Sequence, residues 1–512
     1  DAIETAVDTL TLQTTAAGAV SIAETDDIVL TSIQTADGPI DVVAAGLVIA
    51  ENVDSSGNDI DANDITIATS AGNIEVDTIT TGGVNGDVTL TANTGAGQSV
   101  TDGNGNSMVT ADVLQIRADG GIGTIAAPIN TTIDGLDVQS ATSGDVAINE
   151  TDAMASLDAV STAGDGNISL TAGGLFTLGH DVVTTVDGAI TITAALGVAA
   201  DIQIVSGTGP GTITLSGPIN GVGAADSLVI NAGDGDVPVG DVIGGTTAID
   251  SLTIDGNDIT LTGIGTGADG VDGTVAVTAV DLGGDPGRIL LAGTGATDDY
   301  RSGGTQTYTS PTDGVVVQTS AAGNISAGGT GVTVTGDLYL DTPGFTITLL
   351  SNLTVTGRLV GYRGTWDVAN RTIDVDDDLA LFGASYEPDD GDFNGADVRF
   401  QYPDLAADPG ALAYFLGTAP AGGTYTAADA TFSVGTPSFA FTGTNLNGAS
   451  IDVAGDFYVN GLDLTAGANW NLRVADNSTA DPNADADYPW GQPYAVLLHG
   501  AVSRSQVPGA LV

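Results

Sequence analysis

Along most of the chain, apolar and polar positions alternate in short runs bounded by Gly, Asn or Asp. Gly72-Asn73-Ile74-Glu75-Val76, Gly86-Asp87-Val88-Thr89-Leu90 and Gly144-Asp145-Val146-Ala147-Ile148 share one form. Gly166-Asn167-Ile168-Ser169-Leu170, Gly188-Ala189-Ile190-Thr191-Ile192 and Gly211-Thr212-Ile213-Thr214-Leu215 repeat it. Each has a turn residue, a small residue and two β-formers separated by one further residue. Period-two alternation predicts a strand with one buried face. Gly, Asn and Asp before it are turn residues. Helical spacing is almost nowhere sustained.

Val146, Ile168, Ile190 and Ile213 are 22, 22 and 23 residues apart. Weaker apolar clusters fall between them, such as Leu175 to Leu178 and Val182-Val183. This repetition predicts an all-β chain whose main part is a right-handed parallel β-helix, a solenoid with a coil of about 22 residues. Coils would rise ~4.8 Å each, so about 300 residues would give ~13 coils over ~60 Å. The alternative is a tandem β-sandwich array, with longer strands at 8–12-residue turn spacing.

The pattern changes character near residue 300. The chain has 24 aromatics, and Phe176 alone precedes Tyr300. Seven of the nine arginines lie at or beyond Arg301. Alternation continues, as in Phe345-Thr346-Ile347-Thr348-Leu349. The expected division is therefore a solenoid over 1–298 and an aromatic-richer β region over 299–512, which either continues the solenoid or stands as a separate β-domain.

Charge narrows the function classes. The 512 residues carry 65 acidic and 9 basic side chains, a net charge of −56. Only six acids are Glu and no Lys occurs, so the acidity is Asp. Asp favours turns by bonding nearby backbone groups, and it supplies the hard oxygens that calcium prefers. Nucleic acid and anionic lipid both require a basic surface, so neither is an expected partner. No apolar run reaches membrane-spanning length. A chain so charged suits a saline or calcium-containing exterior. Cysteine is absent, so disulfides are not its staples. The opening Asp1-Ala2-Ile3-Glu4 does not read as a signal peptide, and a processed product or fragment is expected.

The stretch Gly166-Asn167-Ile168-Ser169-Leu170-Thr171-Ala172-Gly173-Gly174-Leu175-Phe176-Thr177-Leu178-Gly179 resembles the repeats of large bacterial surface adhesins, the filamentous-haemagglutinin-like and autotransporter-type β-helices. The resemblance covers roughly residues 1–295. It implies a secreted β-helix displayed at the cell surface. The chain departs from those families in lacking a recognisable secretion-partner or membrane-barrel domain.

Candidate sites concentrate in the second half. Asp390, Asp392 and Asn394 take positions one, three and five of a calcium loop, with Gly395 at the sharp turn and the Ala396 carbonyl at position seven. The twelfth position is Gln401 rather than Glu, and a plain acidic turn is the alternative. Asp481, Asn483, Asp485 and Asp487 alternate in the same way, against the alternative of a solvated loop. Calcium is thus the expected cofactor if there is one. Trp366, Trp470, Tyr488, Trp490 and Tyr494 are candidates for stacking on sugar or for a subunit interface. Asp54, Asp59, Asp61 and Asp64 read as turn residues. Carboxylate pairs such as Asp26-Asp27, Asp298-Asp299 and Asp389-Asp390 are the tool of glycosidic cleavage, but among 59 Asp residues adjacent pairs arise by chance. No catalytic residue is assigned.

The expected role is extracellular and structural, self-assembly into filaments, a sheath or a surface layer by head-to-tail contact between copies. A monomeric adhesin binding glycans or host surfaces is the alternative, and a polysaccharide-degrading β-helix a more distant one.

Overall fold

In a computed structural model, the described residues are 2–357, apart from 58–62, 83, 93–94, 96, 143, 185, 224–225, 283–286 and 294–298, together with strands from Leu359–Asp367 to Ser503–Arg504. Every element among them is a β-strand, and every ladder between strands is parallel. One isolated antiparallel bridge joins Thr124 and Ala127. A sandwich array would be antiparallel, so the chain is a parallel β-solenoid. It divides into two compact units, Asp1–Asn257 and Asp258–Val512.

In the first unit the spacing seen in the sequence is the coil itself. Val146 pairs with Ile168, Ile168 with Ile190, and Ile190 with Ile213. The strands are Val146–Glu150, Ile168–Leu178, Ile190–Val198 and Ile213–Leu215. A second file runs Ile40, Ile65, Val88, Leu114, Leu136 and Leu157, each in register with the next. All six are fully buried. Burying each such side chain contributes roughly 1.5–3 kcal/mol. β-branched and aliphatic residues suit both the strand and the narrow interior.

Glycine closes the corner before these strands. A Cβ on Gly188 would lie 2.0 Å from the Gly166 carbonyl oxygen, and one on Gly144 would lie 2.2 Å from the Gly121 nitrogen. Backbone of one coil touches backbone of the next there, and no side chain fits. The turn that delivers the chain to this corner is closed by a buried hydroxyl. Thr162 Oγ1 donates to the Gly166 carbonyl at 2.9 Å, and Thr184 Oγ1 donates to that of Gly188 at 3.1 Å.

The second unit uses the same principle with bulkier contents. Ile259, Ile289, Val315 and Leu338 form one buried file. Tyr300 and Tyr308 are wholly buried and satisfy their hydroxyls internally. Tyr300 donates to the Leu261 carbonyl at 2.9 Å, and Tyr308 donates to Gln306 Oε1 at 3.1 Å. Gln306 Nε2 donates onward to the Tyr300 and Ser326 carbonyls. Burial pushes the Tyr308 phenol well above its ordinary range. Such paired polar groups in a core cost little when every member is satisfied.

Candidate functional site

The acidic turns are where the sequence concentrates its chemistry. At several corners an Asp or Asn oxygen accepts a backbone N–H from the coil stacked on it. Asp64 Oδ1 accepts from Asp87 N at 3.1 Å, and Asp87 Oδ1 accepts from Val113 N at 3.2 Å. Asp145 Oδ1 accepts from Asn167 N at 2.9 Å, and Asn167 Oδ1 accepts from Ala189 N at 3.0 Å. In the second unit Asp258 bonds Arg288 N, and Asp299 bonds Asn324 N. These bonds satisfy N–H groups at corners the ladders do not reach. They give the abundant Asp a structural use and, at Asp64 and Asp87, place carboxylates on successive coils.

Asp77 has acidic neighbours in the preceding and following coils, Glu51 and Asp102. Burial pushes the Asp77 carboxyl up, a hydrogen bond from Asn104 opposes this, and the charges of Glu51 and Asp102 add to it. Asp102 Oδ1 accepts from the nitrogens of Asn104, Gly105 and Ser107. Among the described residues, no three His, Asp or Glu side chains converge as a metal-binding group.

Two further corners hold a buried Glu. Glu24 is 5% exposed and Glu150 is 1% exposed. Glu24 Oε2 accepts from Thr5 Oγ1 at 2.7 Å and from Val7 N at 3.2 Å, and its Oε1 accepts from Thr25 N at 2.7 Å. Glu150 Oε2 accepts from Thr131 Oγ1 at 2.7 Å and from Ile133 N at 3.2 Å. Its Oε1 accepts from Thr151 N at 2.8 Å and Asp152 N at 3.2 Å. The two sites are the same device, a carboxylate holding the turn of the preceding coil. Sequence reasoning missed them. The signal was present, because Val20-Ser21-Ile22-Ala23-Glu24-Thr25-Asp26 and Val146-Ala147-Ile148-Asn149-Glu150-Thr151-Asp152 place Glu in phase with the apolar positions.

Their protonation differs. Burial acts to raise Glu24, but the hydrogen bonds from Thr5, Val7, Thr25 and Asp26 outweigh it and hold the carboxyl at about 2. Asp26 is pushed up, first by its hydrogen bond to Glu24. Glu150 is raised, because its burial outweighs the bonds from Thr131, Asp152 and Thr151. Since Glu24 sits below its ordinary 4.5, its contribution to stability is present above that pH and lost as pH falls towards 2. Glu150 contributes with the opposite sign, losing stability as pH rises through its folded value. The unfolding midpoints of the native chain and Glu24→Gln are expected to separate above pH 4.5 and to converge below it. A gap independent of pH would contradict this reading of the corner.

The residues singled out for calcium, Asp390, Asp392, Asn394, Ala396, Asp481, Asn483, Asp485 and Asp487, lie outside the described residues, as do Trp470, Tyr488, Trp490 and Tyr494. Trp366 lies in the strand Leu359–Asp367, in register with Ile347 and Tyr386. Of the predicted turn residues, Asp54 Oδ1 accepts from Ser56 N and Asp64 bonds the next coil, while Asp59 and Asp61 lie outside the described residues. Arg117 pairs with Asp137 across coils. Asp299 is buried against Asn324 and Gly267 N. No family model, curated protein or solved structure matches the chain.

Proposed function

We propose that this is an extracellular structural protein that assembles with copies of itself, its role being architectural rather than catalytic. The observation that carries the reading is the placing of carboxylates on neighbouring turns, as at Asp64 and Asp87 and around Asp77 between Glu51 and Asp102. Their mutual repulsion, on a chain of net charge −56, is relieved by salt or divalent cations. An exterior medium supplies both. Calcium, with its preference for carboxylate and carbonyl oxygen, is the cation proposed to bridge acidic turns of neighbouring copies. The likeness of Gly166–Gly179 to bacterial adhesin repeats supports display at a cell surface.

Sedimentation velocity of the full chain tests this. Large species are expected in calcium and smaller ones after chelation. One small species in both conditions would overturn the assembly reading and favour the monomeric adhesin, to be pursued by a glycan-binding screen.

A further inference from the structure

One outward face of the second unit differs from the acidic turns. The strands Val275–Ala279, Gln306–Thr309, Val332–Thr335 and Leu353–Val355 stack in parallel with no shift of register. Their inward residues Val277, Tyr308, Val334 and Val355 are buried in one file and fix the strands. The outward positions form two files. One is Ala276, Thr307, Thr333 and Thr354, and the other is Thr278, Thr309 and Thr335. Six of these seven are threonine and none is charged, on a chain of net charge −56. The first file ends where Asp374 takes the position after Thr354.

Physical chemistry gives this face an unusual property. Parallel strands lie ~4.8 Å apart and alternate residues ~6.6 Å apart, so the hydroxyls form a two-dimensional net. Branching at Cβ restricts threonine rotation, which keeps that net stiff. Each threonine offers a methyl beside a hydroxyl that both donates and accepts. A flexible polymer would gain little from such regularity. A partner that is itself a lattice of donors and acceptors gains at every repeat. The face of an ice crystal is such a lattice of oxygen rows, and water bound between hydroxyls costs little once it is already ordered.

We propose that this threonine face binds ice, anchoring ordered water at a crystal front through Thr307, Thr309, Thr333, Thr335 and Thr354. The proposal does not depend on self-assembly, since a single copy carries the whole face. The test is ice recrystallisation in the presence of the full chain, compared with Thr333→Tyr, which breaks the centre of the net. Thr260→Tyr, on the outward side of the strand Ile259–Ile264, is the control. Melting curves of all three establish that they fold alike. Inhibition by the native chain and the control, lost in Thr333→Tyr, is the expected result. Absence of inhibition by the native chain, or inhibition that survives Thr333→Tyr, would overturn it.

Discussion

Gly188→Ala is expected to be among the most damaging single changes to the first unit. The added Cβ would meet the Gly166 carbonyl oxygen at 2.0 Å and its carbon at 2.8 Å. The obstacle is backbone, so no rotamer change relieves it. Either the two coils separate at that corner or the strand Ile190–Val198 shifts against Ile168–Leu178. Overpacking of this kind costs about 3 kcal/mol or more where the surroundings cannot yield. Gly18→Ala is the matched comparison, because nothing lies within 4 Å of its Cβ. That change should shift stability by less than about 0.5 kcal/mol. Denaturant unfolding of both variants makes the comparison, and equal midpoints would contradict the backbone-contact account of the corner.

A second large effect is expected from Glu150→Leu. The carboxylate accepts from Thr131 Oγ1 and from the nitrogens of Ile133, Thr151 and Asp152. Leucine fits the size of the site but accepts nothing, and the donors of Thr131 and Ile133 stay buried. Each unsatisfied donor costs about 1–3 kcal/mol, and removing one partner of a buried charged network costs about 3–5 kcal/mol in all. In a solenoid the damage is local, because each coil packs on its neighbours alone. Amide exchange at Ile133, Thr151 and Asp152 should therefore accelerate more than exchange in the strand Ile40–Ala44. Uniform acceleration along the unit would contradict a local corner.

The fold was legible because its period is written in residues that tolerate no substitute. Gly144, Gly188 and Gly211 stand where the corner admits no Cβ, and Val146, Ile168, Ile190 and Ile213 recur at coil spacing in the core beside them. The turn preference of Asp was also legible. Its bonding partners were not, because the N–H that Asp145 accepts belongs to Asn167, one coil away, and such distances reach a reader only once the register is fixed. Glu24 and Glu150 were hidden by the habit of assigning polar residues outward. Their phase within the alternating strand contradicts that habit. The threonine files were visible as Thr-x-Thr runs, at Thr307 to Thr309 and Thr333 to Thr335, but alternation alone does not say which runs stack on one another.

The central claim is that copies of this acidic solenoid assemble through cations at their stacked turns. Negative-stain electron microscopy of the purified full chain, in calcium and again after chelation, tests it most directly. Ordered filaments or sheets in calcium that disperse in chelator are the predicted result. Separate particles in both conditions would contradict it.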